Sequence, residues 1–307
     1  MPALNIKKST RIEAPAEKVF DVLSNFNHWQ AWSPWLIMEP EAQVKIAEDA
    51  KSYSWEGNRV GSGNMKITSE KANQSIDYDL MFLKPWKSKA KVRFELNQNG
   101  DATEVTWSME SSLPFFLFWM KKMMEGFVGM DYERGLGMLK ELIEEGKVHS
   151  KLNFEGQSSY KGCQYVGVRT TCPMGEIGEA MKRDFGKLES YVSQHEDNVF
   201  GPALSVYHKW DITKKQVSYT SAIPVKEIPE TLSEGLISGS IPSTEIYTII
   251  HTGPYTHLGN AWSTLYNMKQ NKEIKVNKSI DPFEIYVNDP TKVDAKELIT
   301  AVNFPLQ

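Results

Sequence analysis

The most chemically informative stretch of this 307-residue chain is Phe283-Glu-Ile-Tyr-Val287. Apolar and polar residues alternate along it, which is the period of a β-strand, where successive side chains point to opposite faces. Phe283, Ile285 and Val287 are therefore expected on a core face, and Glu284 and Tyr286 together on the other. A carboxylate among aromatic rings is costly to desolvate, so its pKa should rise. Such a group can hold a cationic or hydrogen-bonding ligand, or act as a general base toward water. On a solvated edge strand the same glutamate would do neither.

Several aromatic residues are candidates to surround it. His251-Thr-Gly-Pro-Tyr-Thr-His-Leu-Gly259 leads into a helical pattern carrying Leu258, Trp262, Leu265 and Tyr266. Tyr255, at the strand-to-helix turn, is placed to aim its ring and hydroxyl into a cleft, whereas Trp262 and Leu265 read first as core. Tyr207 and Tyr219 offer a facing wall. The candidate ligand-binding set is thus Glu284, Tyr286, Tyr255, Tyr207, Tyr219 and Trp262, with Glu284 and Tyr255 as the catalytic candidates if the site turns over its ligand. An aromatic cage suits flat or cationic organic molecules, each cation–π contact contributing about 0.5–2 kcal/mol.

Other chemistries find little support. No Gly-x-Ser-x-Gly, phosphate loop, dinucleotide fingerprint or paired-histidine zinc motif occurs, so no cofactor and no metal is expected. The closest histidine pair, His251 and His257, reads as structural. Cys163 and Cys172 flank an apolar segment; extended, it separates them by roughly 30 Å, against about 5.5 Å for a disulfide, so free thiols and a reducing compartment are expected. The net charge of −4 is shared evenly by the two halves, which argues against a basic nucleic-acid-binding module. Lys87, Lys89, Lys91 and Arg93 alternate along one strand as a solvated outer face would. The most apolar run, Leu113-Pro-Phe-Phe-Leu-Phe-Trp-Met120, ends in Lys121-Lys122 and is far short of the about 20 residues of a membrane span. With no signal-like start, the chain reads as soluble and cytoplasmic.

Length and patterning predict two domains that position these residues. The first opens with a strand over residues 4–12 and a short helix containing Val19, Phe20, Val22 and Leu23 behind Pro15. A loop with Trp29, Trp32 and Trp35 follows and is expected to pack under a helix. Antiparallel strands, punctuated by Gly57, Gly61, Gly63, Pro85 and the hairpin pair Asn99-Gly100, fill the region to Met109. A long helix with Val128, Tyr132, Leu136, Leu139 and Ile143 inward closes the domain before Gly146. The second half contains an internal duplication. Strand 164–170 resembles strand 245–251; each precedes a helix, a proline-led strand (201–207, 281–287) and a strand ending in proline (216–224, 298–305). Two such sub-units should pack about a pseudo-twofold axis and leave a cleft at their seam, where ligands favour binding.

Two family resemblances follow from these residues. Residues 1–147 resemble the START-like polyketide cyclase/dehydrase and lipid-transport superfamily, on Ile12-Glu-Ala-Pro-Ala-Glu-Lys-Val-Phe20, Trp29 with Trp32-Ser-Pro-Trp35, Tyr53-Ser-Trp-Glu-Gly57, Thr103-Glu-Val-Thr-Trp107 and Gly135-Leu-Gly-Met-Leu-Lys140. Residues 153–307 resemble the GyrI-like effector-binding domain, on His251-Thr-Gly-Pro-Tyr255, Leu258-Gly-Asn-Ala-Trp262, Phe283-Glu-Ile-Tyr-Val-Asn-Asp-Pro290 and Glu297-Leu-Ile-Thr300. The resemblance implies an α+β protein: a helix-grip antiparallel sheet around a long C-terminal helix, then a pseudo-twofold strand-helix-strand-strand duplication. It also implies binding of hydrophobic or cationic compounds around a pocket glutamate, which by motif position is Glu284. A second acid, often found after the threonine in that family, is replaced here by Ala301. Family members are often fused to helix-turn-helix modules, and none is visible in this sequence.

The leading expectation is therefore a binder of small hydrophobic or aromatic molecules, cationic ones included, acting without direct nucleic-acid contact. The first domain would add a second apolar cavity. Two rivals stand beside it. A hydrolase of electrophilic xenobiotics, which the resemblance implies through cyclopropanoid-cleaving relatives, would use the same glutamate; an interaction module would hold a protein partner instead.

Overall fold

The computed structural model describes residues 3–84, 87–113 and 115–307, with backbone only for residues 115–117. Pro85, one of the expected turn residues, and Pro114 of the apolar run lie outside them. The chain forms two compact units, Met1–Ser150 and Lys151–Gln307.

The first unit runs β1 (Ala3–Ile12), α1 (Ala16–Leu23), β2 (Gln43–Ile46), β3 (Ser52–Glu56), β4 (Ser62–Lys71), β5 (Ser75–Lys84), β6 (Ser88–Asn99), β7 (Ala102–Ser112) and α2 (Lys121–Glu145). Its seven strands form one antiparallel sheet in the order β1-β7-β6-β5-β4-β3-β2. The long helix α2 buries Tyr132, Leu136, Leu139 and Ile143, residues four, three and four apart, so that one stripe faces the sheet. It ends at Gly146, whose φ of 80° is the left-handed conformation of a helix C-cap and whose N–H reaches the Leu142 carbonyl. Close approach of α2 depends on Gly135, where a Cβ would lie 2.8 Å from the Trp107 ring and 3.1 Å from Pro34.

Aromatic rings dominate the interior. Trp107 is stacked between Phe94, at 5.0 Å, and Tyr132, at 3.8 Å. Trp29 and Trp32 of the three-tryptophan loop are buried, and Trp35 meets the edge of Trp107 at 5.8 Å. The region expected to offer a second apolar cavity is thus lined by rings in mutual contact. The loop packs inward because indoles bury large apolar area.

The second unit runs β8 (Lys151–Tyr160), β9 (Cys163–Pro173), α3 (Ile177–Gln194), β10 (Leu204–Asp211), β11 (Gln216–Val225), β12 (Ile237–Ile241), β13 (Thr244–Thr252), α4 (Gly259–Gln270), β14 (Phe283–Tyr286) and β15 (Ile299–Pro305). The sheet order, β12-β9-β11-β10-β14-β15-β13-β8, reads the same from both ends once the copies are exchanged. The two copies meet at β10 and β14, which pair antiparallel with Ser205 opposite Glu284. Each copy also begins with a strand that the sequence reading did not isolate. These strands cross over, β8 pairing with β13 and β12 with β9. Their mixed serine, glycine and charged residues blur the alternation that would have marked them. Cys163 and Cys172 lie at opposite ends of β9 as free thiols.

Candidate functional site

Strand β14 is only four residues long but central, with β10 on one side and β15 on the other. Alternation sorts its side chains. Phe283 is buried on one face, in a cluster with Leu204 and Val206 of β10, while Glu284 shares the other face with Tyr207. Val287, expected on the core face, is instead 51% exposed, one residue past the end of the strand although its N–H still donates to the Ile299 carbonyl.

Glu284 is 1% exposed. Its Oε2 accepts hydrogen bonds from the hydroxyls of Tyr207 and Tyr286, each at 2.8 Å, and its Oε1 accepts from the indole N–H of Trp262 on α4. A phenol has one proton to donate. With that proton on Glu284, the Tyr286 oxygen accepts from the Ser205 hydroxyl at 3.0 Å. Rings close the surroundings: Tyr207 lies edge-on to Trp262 at 4.7 Å, and Tyr286 meets Tyr255 at 5.7 Å and Phe185 of α3 at 5.7 Å. Met181 of α3 places its sulfur 3.7 Å from the Tyr286 hydroxyl. Helix α3 therefore reaches the central strand at Tyr286, and α4 reaches it at Glu284 through Trp262.

The electrostatics follow from this burial. Removal from water pushes the Glu284 carboxyl above its ordinary range, outweighing the three donors that favour its charged form. Burial and the adjacent carboxylate push the Tyr207 and Tyr286 phenols up as well, and Tyr255 up to about 12. The phenols therefore stay protonated and donate. Among the described residues no lysine or arginine is paired with Glu284. An acid held only by neutral donors and ringed by π faces has electrostatic capacity left for a cation.

Of the residues expected at the site, Glu284, Tyr286, Tyr207 and Trp262 share one hydrogen-bonded group, and Tyr255 covers it through Tyr286. Trp262 combines the two roles that the sequence set apart, packing on Phe304 at 5.5 Å while donating to the carboxylate. Tyr219 departs from the group. Its buried ring lies 6.0 Å from Tyr207, but its hydroxyl donates to Asp184 on α3 at 3.0 Å. Asp184 also accepts from Thr170, at 3.0 Å, and Ser221, at 3.5 Å, and is buried beneath the helix. Sequence reasoning missed Asp184, Met181 and Phe185. The signal was present: with Leu188 they form an i, i+3, i+4, i+7 stripe, and an acid within an apolar stripe marks a buried, bonded carboxylate. His251 and His257 are buried near one another, and burial pushes His251 down to about 4. Among the described residues no group of three or more His, Cys, Asp or Glu side chains is disposed to hold a metal ion.

Comparison with known families bears on both units. Residues 3–144 match the polyketide cyclase / dehydrase and lipid transport family, and residues 161–307 match the GyrI-like small molecule binding domain. The chain carries one domain of each family. Small-molecule binding is thus the function class of its GyrI-like domain, the one that holds Glu284. Similar solved structures include the EcmrR C-terminal domain, at 20% identity over 52% of this chain and 98% of that one, TM-score 0.39. Another is SAV2435 bound to tetraphenylphosphonium, at 13% identity over 50% and 94%, TM-score 0.39. Protein MLL2253 from Mesorhizobium loti has 14% identity over 47% and 99%, TM-score 0.37. No curated protein sequence matches the chain.

Proposed function

We propose that the GyrI-like domain binds small hydrophobic or aromatic molecules, organic cations above all, against Glu284 and the rings of Tyr207, Trp262, Tyr286 and Tyr255. The observation that carries this reading is a fully buried carboxylate with three neutral donors and no cationic partner among the described residues. A lipophilic cation supplies the missing charge and spreads its apolar surface over the rings. Tyr255, still 40% exposed, stands on the route in and swings aside or stacks as a ligand arrives. The test compares tetraphenylphosphonium with neutral triphenylphosphine oxide on the full chain. Glu284→Gln, which keeps shape but removes the charge, is expected to weaken the cation by about 2 kcal/mol, roughly 30-fold, and the neutral molecule by less than about twofold. Equal loss for both contradicts the charge role.

The hydrolytic alternative draws on the same raised carboxyl, which is a better base toward water than an ordinary glutamate. It requires that an electrophilic ligand be consumed. Incubation with a strained cyclopropane electrophile, followed by mass spectrometry, separates the two: unchanged compound at the end supports binding alone.

A further inference from the structure

Two sequence features have no part in the Glu284 site: the basic stripe beginning at Lys87 and the aromatic run that ends in Lys121-Lys122. The fold brings Lys87 and Lys89 of the first and Phe118, Trp119 and Lys122 of the second to one end of the sheet. In the first sheet Phe82 lies opposite Ser88, Ala90 opposite Ser111, and Ala3 opposite Ser112, so the end of β5, the start of β6, the end of β7 and the start of β1 share one end. The start of α2 is at the same end, since the Asn5 amide reaches Glu125 at 3.5 Å. Phe118 and Trp119, in the short 3-10 segment between β7 and α2, are 60% and 67% exposed there, with Leu83 also exposed.

Lysines outnumber acids around this end, Lys84, Lys87, Lys89, Lys121 and Lys122 against Glu56, Glu110 and Glu125. Lys84 is paired with Glu56 at 2.8 Å and Lys121 with Glu125 at 3.7 Å. Lys87, Lys89 and Lys122 are exposed and make no ion pair among the described residues, leaving this end positive on a chain whose net charge is −4. Exposed aromatic rings of this size mark an interaction surface. Large rings beside lysines match the interfacial zone of a bilayer, where indole and phenyl groups settle at headgroup depth and lysines meet anionic lipid. No helix among the described residues is long and apolar enough to cross a membrane, so the contact would be peripheral.

We propose that this end of the first unit docks on an anionic lipid surface, with Phe118, Trp119 and Leu83 entering the headgroup layer and Lys87, Lys89 and Lys122 meeting the lipid charge. The proposal is independent of the Glu284 reading. Co-sedimentation of the full chain with vesicles tests it, using phosphatidylcholine alone and phosphatidylcholine mixed with phosphatidylglycerol. Binding is expected only to the anionic vesicles and is expected to weaken with salt. The triple change Lys87→Glu, Lys89→Glu and Lys122→Glu, all on exposed side chains, should lower the partition coefficient roughly 100-fold. Trp119→Ala should lower it about tenfold while keeping the salt dependence. Failure to bind anionic vesicles, equal binding to both kinds, or indifference to all four substitutions would overturn the proposal. So would concentration-dependent self-association that Trp119→Ala abolishes, since the surface would then serve a second copy of the chain.

Discussion

Glu284 owes its character to what surrounds it. Each carboxylate oxygen has a neutral donor, and burial still holds the group above its ordinary range. The indole of Trp262 is the donor seen on Oε1, so Trp262→Phe leaves that oxygen with none of the donors now present. The charged form needs those donors more than the protonated form does. The substitution is therefore expected to cost about 1–3 kcal/mol of stability where Glu284 is ionised and less where it is protonated. Urea denaturation at alkaline and mildly acidic pH checks this, and an equal loss at both would show that Trp262 acts only by packing. The period-two pattern of Phe283 to Tyr286 was enough to place Glu284 and Tyr286 away from Phe283. It did not reveal that the glutamate is sealed, because burial of a short central strand comes from the helices laid across it.

At the scale of elements, α3 is fastened to the sheet by Asp184, whose carboxylate gathers hydroxyls from Thr170, Tyr219 and Ser221. The same helix presents Met181 and Phe185 to Tyr286. Asp184→Ala strands the buried hydroxyls of Tyr219 and Ser221 and the half-buried one of Thr170 and should cost about 1–3 kcal/mol, with a secondary loss of ligand affinity as α3 loosens over Tyr286. Thermal unfolding with and without tetraphenylphosphonium measures both effects; unchanged stability would contradict the fastening role. The duplication was readable in the sequence because the strands beside the seam carry strong, proline-punctuated patterns. The crossing strands β8 and β12 were not, since their pairing partners come from the other copy and leave little local trace. Tyr219 illustrates the same limit: its strand was legible, but its hydroxyl partner lies on a helix whose buried acid was overlooked.

Across the whole molecule, acid should reveal which unit yields. Burial lowers His251 to about 4 from its ordinary 6.5, so between those values the unfolded chain binds a proton that the folded chain refuses. The His251 contribution to the stability of the second unit is therefore expected to fall as pH drops from about 6.5 to 4, by about 3 kcal/mol, against the opposite-signed contribution of Glu284. His251→Gln should flatten that limb in a pH series of melting curves, and an unaltered limb would contradict the assignment. We further propose that the two compact units fold separately, each closing its own sheet. The central claim concerns the second unit: an organic cation takes its charge partner from Glu284. Because burial strengthens the hold of the carboxyl on its proton, a cation that pairs with the charged form competes with that proton, and its affinity should rise with pH through the titration of Glu284. Calorimetric titration of tetraphenylphosphonium in buffers of different ionisation enthalpy reads this directly. Proton release on binding that disappears in Glu284→Gln is the result expected; binding with no proton released, or release unchanged in that variant, would contradict the account.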